Sequence, residues 1–330
     1  MTKNTSHISK LYSIKYLILS TISAFSLGLI TSKAIDTAQA ILYEQKNTAN
    51  ITVANKELDN PSKATDITPK VSANELIQAN KIFKTTDWSA EQPEGIKELL
   101  AAMPHSLELR KKALQRYREE REGKIKTNLR QLLMAQSLPD VITSAVNWVK
   151  QTDDAMARTD GYKLLNRAAE HPEVHAVIKQ GILNESNSFA LAAAIWALSS
   201  PNVVDPAEVQ TLVPRLHTLT QHANDDIRAA SIQRLADWDR SKKYLTQDVQ
   251  RLLSDSVEDV RIAAIGATSI ASMTNDTLKH QLFIMLNDIK QTEELRSIVH
   301  MQLSRFGLST VEYAAYQAAQ KILFKEDKPK

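Results

Sequence analysis

Cysteine is absent from the 330 residues. That excludes disulfides, thiol nucleophiles, thiolate zinc sites, iron–sulfur clusters and an N-terminal lipidated cysteine. Glycine is scarce, with 7 residues, and aromatic side chains make up only 5%. A sheet protein needs more glycine turns and more aromatic or β-branched runs. No two glycines lie within ten residues of each other, so neither common type of glycine-rich phosphate loop can be built, and no Gly-x-Ser-x-Gly elbow occurs. A strong surplus of one charge is also missing. The formal net charge is +3, and Lys3, Lys10, Lys15 and Lys33 account for it, because residues 1–33 hold no acid. The remainder is near neutral, which argues against duplex nucleic acid as a partner. Plentiful alanine, leucine and glutamine favour helix, and the chain reads as all-α.

Residues 1–15 are polar and basic, and Tyr16 to Ile30 is an apolar run interrupted only by serine and threonine. This is the layout of a charged n-region followed by a hydrophobic segment. Two readings stand. Small residues at Ala34 and Ala40 suit cleavage of a signal peptide. The long n-region, with lysines at both ends of the run, suits an uncleaved signal anchor over 16–32, although about 22 Å of helix is short for a roughly 30 Å hydrocarbon core. Either way the leading lysines stay in the cytoplasm. The expected location is the bacterial inner membrane, single-pass, with residues 33–330 periplasmic; the alternative is a soluble periplasmic protein. Residues 33–72, rich in Asn, Thr, Lys and Ala, read as a flexible linker. A capping box at Ser72–Glu75 opens an N-terminal helical cap over 73–136, with one long helix or two joined at Gly123 after Ser106. Helices of ten to sixteen residues then alternate with short polar turns over 137–324, and 325–330 is a charged tail.

Within that array one pattern occurs twice. Asn224-Asp-Asp226-Ile-Arg228-Ala-Ala230-Ser-Ile232 is matched 33 residues later by Val257-Glu-Asp259-Val-Arg261-Ile-Ala263-Ala-Ile265. A fixed period of this size marks a solenoid, in which each helix pair buries its apolar face only against its neighbours. Extending the alignment gives rungs at Arg158, Ala190, Arg228, Arg261 and Arg296, with a further copy at Ser106–Arg110. Acids in the first turn suit the helix dipole, and Ser256-Val-Glu-Asp259 resembles a capping box.

These residues resemble the HEAT-repeat family, over about 150–324 and most closely over 224–300. The resemblance implies a right-handed α-solenoid of helix pairs in which acid and arginine of successive units form a ladder. It assigns that structural role to Asp226, Arg228, Asp259 and Arg261 and, on a less complete match, to Glu294 and Arg296. The unit with Phe189-Ala190 departs from the pattern, so a rung is expected to be missing there. The family implies scaffolding, with a protein or peptide partner on a concave face lined by the helices between the ladder helices. The expected contact residues are Gln210, Arg215, Gln250, Arg251, Lys279 and Gln281, and the partner is expected to be an envelope component.

Catalytic signals are weak. His171-Pro-Glu173-Val-His175 has the i, i+4 histidine pair that zinc uses, but Pro172 stands where the metalloprotease glutamate belongs. Proline in the first helical turn makes this a helix start. HEAT-type di-iron hydroxylases carry His-Glu dipeptides, and the eight histidines here include none. Residues 110–130 hold nine Lys or Arg against three Glu, which reads as a solvated helix face with Glu–Lys pairs. Trp148, Trp196 and Trp238 read as packing residues. The expected function is therefore a non-catalytic adaptor with no cofactor or metal. The alternative is a small-molecule-binding or lyase-like HEAT-repeat protein.

Overall fold

The computed structural model describes residues 96–324, except 136, 152 and 202–204. The membrane segment, the linker and the Ser72 capping box lie outside the described residues. Among the described residues the fold is all-helical, and no helix is long and apolar enough to cross a membrane.

Fourteen α-helices follow in order: α1 (Ile96–Ala102), α2 (Leu107–Glu119), α3 (Lys124–Met134), α4 (Pro139–Lys150), α5 (Ala155–Leu165), α6 (Pro172–Asn184), α7 (Ser188–Ala197), α8 (Pro206–Leu219), α9 (Asp225–Trp238), α10 (Leu245–Leu252), α11 (Glu258–Ile270), α12 (Asp276–Asn287), α13 (Glu293–Leu303) and α14 (Thr310–Leu323). Their starts are written in the sequence. Ser106, Asp154, Asn187, Asp205, Asn224, Asn275, Thr292 and Ser309 each accept a backbone N–H of the first turn. That satisfies one of the donors a helix start leaves free. Pro139, Pro172 and Pro206 occupy first-turn positions, where no N–H is needed. The stretch 106–136 is two helices, and they meet at Gly123.

The helices pack in sequence order as two layers. α5, α7, α9, α11 and α13 pack successively on one another, and α3 extends this layer by packing on α5. The even-numbered helices from α4 to α14 alternate with them, each packing on the next odd one or, for α14, on α13. The odd layer is close-packed because its buried faces are small. α7 places Ala190, Ala192, Ala193, Ala194 and Ala197 in the core, α9 places Ala229, Ala230 and Ala236, and α11 places Ala263, Ala264 and Ala267. Short side chains bring helix axes together, whereas the longer Leu and Val side chains of α8, α10 and α12 hold theirs apart. Bonds at the far ends of the odd helices keep them parallel and in register. Asn166 Nδ2 donates to the Trp196 carbonyl (2.9 Å), Trp238 Nε1 to that of Ser199 (3.0 Å), and Gln302 Nε2 to Thr268 Oγ1 (2.8 Å).

Two local expectations change. The cap of α11 is Val257, not Ser256, and no capping box forms there; Asp255 instead accepts the Val257 N–H at 2.9 Å. The box in this structure is at Ser309 and Glu312. Also, aligning the helix starts puts Leu191, not Ala190, at the α7 position equivalent to Arg158, Arg228, Arg261 and Arg296: each is the fourth residue of its helix. The fourth residue of α7 is therefore a leucine and not an arginine.

Candidate partner-binding face

Two of the arginine rungs clamp acids that lie in turns, outside the repeat pattern. Arg228 clamps Asp255, with Nε at 2.9 Å and a terminal nitrogen at 2.8 Å, and also donates to the carbonyls of His222 and Ala223. Asp255 lies in the turn before the next odd helix. Arg158 clamps Glu185 in the same way at 2.8 and 3.0 Å, again in the turn before the next odd helix. Arg261 donates to the carbonyls of Asp255 and Ser256 and stands 3.6 Å from Glu258, and Arg296 donates to the Leu286 carbonyl at 2.8 Å. The fork of a guanidinium lets it bind its own turn and the next repeat together. Sequence comparison missed Glu185 and Asp255 because they lie in turns, outside the repeated helical pattern. Both occur two residues before a helix cap.

Those two carboxylates carry a pH signature. The Arg158 hydrogen bond holds the Glu185 carboxyl below its ordinary range against the upward push of burial. Burial pushes Asp255 up, but the Arg228 bond and the Val257 N–H outweigh it and hold the group low. A carboxyl lowered on folding stabilises fully above its unfolded value of about 4 and loses that contribution as pH falls through the folded value. Melting temperature is therefore expected to drop as pH is lowered below about 4, and to drop less in a chain carrying Arg158→Met and Arg228→Met. Equal acid sensitivity in the two chains would exclude this linkage.

The acids of three odd-helix starts lie near one another. Asp226, Asp259 and Glu294 are each the second residue of an odd helix, and Asp225, Glu258 and Glu293 are the first. The Asp259 carboxyl is pushed up, chiefly by burial and then by Glu258, Asp225, Asp226 and Glu294. Thr292 Oγ1 donates to Glu258 at 2.7 Å, tying the start of α13 to that of α11. In α5 and α7 the same second position holds Met156 and Phe189, which are 51% and 57% exposed.

The six residues expected to contact a partner are in the even layer, and most of them make bonds within the chain. Arg215 donates to the Ile182 carbonyl, Arg251 to Thr220 and Asp248, and Gln281 to the Gln250 carbonyl. Lys279 joins Gly307, Glu312 and Asp276. Gln210 is exposed on α8. Polar side chains thus bind successive even helices where their wide spacing leaves little apolar contact. Side-chain contacts to carboxylates do the same: Lys179 pairs with Glu208 at 2.8 Å, His175 is hydrogen-bonded to Glu208 at 3.0 Å, and His217 to Asp248 at 2.6 Å. Burial pushes the Glu208 carboxyl up, but hydrogen bonds from Lys179 and His175 outweigh it and hold the group below its ordinary range.

His171 caps α6, Pro172 follows it, and His175 turns to Glu208 and stacks on Trp238. No group of three or more His, Asp or Glu among the described residues is placed to hold a metal ion. Trp238 is buried, Trp148 stacks on Tyr117, and Arg234 lies over Trp196.

The basic stretch 110–130 is largely committed too. Arg110 holds Asp140 and two carbonyls, Arg116 pairs with Glu120, Arg130 with Glu122, and Arg118 lies over Trp148. Lys126 departs most from a solvated face. It is 3% exposed and meets Asp160, equally buried, at 2.6 Å, while the Tyr117 hydroxyl donates to the other Asp160 oxygen at 3.3 Å. Burial raises the Asp160 carboxyl against the pull of Lys126 and pushes the Tyr117 phenol far up. Lys126 shares a helical face with Leu129 and Leu133, and that spacing was the available signal. Lys126, Asp160 and Met156 line a cavity of about 370 Å³ with Arg118, Arg121 and Glu122.

The geometry defines a class: an all-helical stack of repeat-like helix pairs, cross-linked by polar rungs. Comparison of the chain with protein-family models, curated proteins and solved structures finds no match.

Proposed function

We propose that this chain is a HEAT-like right-handed α-solenoid that works without catalysis as a scaffold for a protein or peptide partner. In this reading residues 16–32 hold it at a bacterial inner membrane, with residues 33–330 on the periplasmic side, and the partner belongs to the envelope. The observation that carries the proposal is the register of the odd layer. Five consecutive parallel helices present the same position, their second residue, along the stack: Met156, Phe189, Asp226, Asp259 and Glu294. A surface ruled in this way is suited to an extended partner, and fold alone would not supply that argument.

The test is capture of the tagged full-length protein from crosslinked, detergent-solubilised membranes, with residues 150–324 deleted as control. A defined set of envelope proteins, lost with the deletion, is the expected result. Recovery of intact, folded protein with nothing attached would end the scaffold reading. A second reading, a small-molecule binder or lyase-like protein, draws support from the cavity over Lys126 and Asp160. Native mass spectrometry of freshly purified protein showing a bound small molecule would favour it.

A further inference from the structure

The last helix is lightly held, and one histidine stands at the centre of its contact. α14 buries a single residue, Ala319, whereas α13 buries five and α11 seven. Val311 and Ile322 of α14 remain 80% and 60% exposed. What fastens the helix is polar and aromatic. Lys279 of α12 pairs with Glu312 at 3.1 Å and donates to the Gly307 carbonyl. The His300 ring of α13 stacks on Tyr316 with centroids 3.9 Å apart, and Phe324 meets the same ring edge-on at 5.3 Å. An element with so little buried surface sits at the low end of local stability, where a small change in one contact shows.

The site of His300 suits one protonation state. The side chain is 4% exposed, and its Nε2 is buried with no hydrogen-bond partner. A neutral imidazole can leave a lone pair at Nε2, but an imidazolium must carry a charged N–H there with no acceptor. The stacked Tyr316 ring would return part of that cost. The charged groups on the helices packed against α13 are engaged elsewhere. In α12, Lys279 joins Asp276 and Glu312; in α11, Arg261 binds the carbonyls of Asp255 and Ser256, and Glu258 accepts from Thr292. In α13 itself, Arg296 binds the Leu286 carbonyl. His280 and Lys321 are exposed. The titratable group that faces the ring is Tyr316, whose phenol is raised by burial and by Tyr313 and so stays neutral. Burial pushes the His300 imidazole below its ordinary value, and the main chain of Tyr316 opposes this in part.

We propose that α14 is a proton-released latch at the end of the stack: neutral His300 holds it through Tyr316 and Phe324, and protonation of His300 lets it detach from α13. This goes beyond the scaffold reading and does not depend on it. The sign follows from linkage. A histidine lowered on docking contributes fully above its free value of about 6.5, and that contribution is lost as pH falls below this toward the docked value. Glu312 is held low by the Ser309 N–H and by Lys279, so it stays ionised through the window.

Hydrogen exchange of the full-length protein, read by mass spectrometry at about pH 7.5 and about pH 5.5 and corrected for the intrinsic effect of pH, reports the opening of each helix. α7 has no titratable side chain and serves as the reference. Opening of α14 relative to α7 is expected to rise about tenfold at the lower pH, one unit below the free value. His300→Phe keeps a ring against Tyr316 and Phe324 and is expected to remove the rise. His300→Gln cannot titrate either; it is expected to open more at both pH values, again without a rise, and it serves where the phenylalanine variant does not fold. No rise in wild type, or a rise that persists in either folded variant, overturns the latch. So does an equal rise in α7, which would mark acid unfolding of the whole stack.

Discussion

Asp160→Ala is expected to be among the most damaging single substitutions in the described region, destabilising the fold by about 3–5 kcal/mol. Lys126 and Asp160 are each 3% exposed and meet at 2.6 Å between α3 and α5, under the ring of Tyr117. Removing the carboxylate leaves a buried ammonium without its partner and the Tyr117 hydroxyl without its acceptor. The pair itself is a different matter. Desolvation of two charges cancels much of their attraction, so replacing both by apolar residues of similar size, Lys126→Met with Asp160→Leu, is expected to fall within about 1–2 kcal/mol of wild type, or above it. Thermal denaturation of the two singles and the double gives the coupling directly. A double variant as unstable as the sum of its singles would show that the two groups act independently and would remove this account. The comparison also bears on function. A pair that can be exchanged for apolar residues without loss of stability, at the floor of a cavity, is free to have been retained for what enters the cavity.

Gly161→Ala is expected to run against helix propensity. An exposed helical glycine replaced by alanine gains about 0.5–1 kcal/mol. In α5 an added Cβ would meet the Ala145 carbonyl and the Val149 side chain of α4, both at 2.8 Å. A backbone carbonyl inside a packed helix cannot swing away as a side-chain tip can, so α4 and α5 must separate. The expected net cost is about 1–3 kcal/mol, as for other overpacked cores. Gly266 in α11 is the internal control, since its added Cβ would meet only Gln233 Nε2 at 3.7 Å. Gly266→Ala is expected to stabilise by about 0.5–1 kcal/mol. Denaturant midpoints of the two variants check both signs, and a stabilising Gly161→Ala would mean that the α4–α5 contact is looser than described.

Both predictions concern contacts between helices rather than within one, and this marks how far the sequence was legible. The all-helical class, the succession of helices and the start of α6 at Pro172 could be read in advance. They depend on local causes: side-chain caps such as Asn224 and Thr292, first-turn prolines, and small residues at a fixed period. These act within one helical turn, so they are visible in a short stretch of chain.

Tertiary structure decided who pairs with whom. The acid and arginine of each unit lie side by side in the sequence, yet Arg228 reaches Asp255 and Arg158 reaches Glu185, 27 residues away in both cases, because the guanidinium spans the gap to the next turn. The polar residues Arg215, Arg251, Lys279 and Gln281 look like a free face until the even helices are stacked, and then they become its cross-links. Lys126, in a stretch that reads as solvated, is buried because α5 closes over it with a carboxylate at the matching height. Met156 and Phe189 became neighbours of the acidic row only when five helix starts were brought into one register. The sequence by itself determined the elements and their repetition, since these follow from the nearest residues along the chain. The pairing of charges, the burial of Lys126 and the alignment of the row of second residues depend on distances between helices, and only the packed stack sets those.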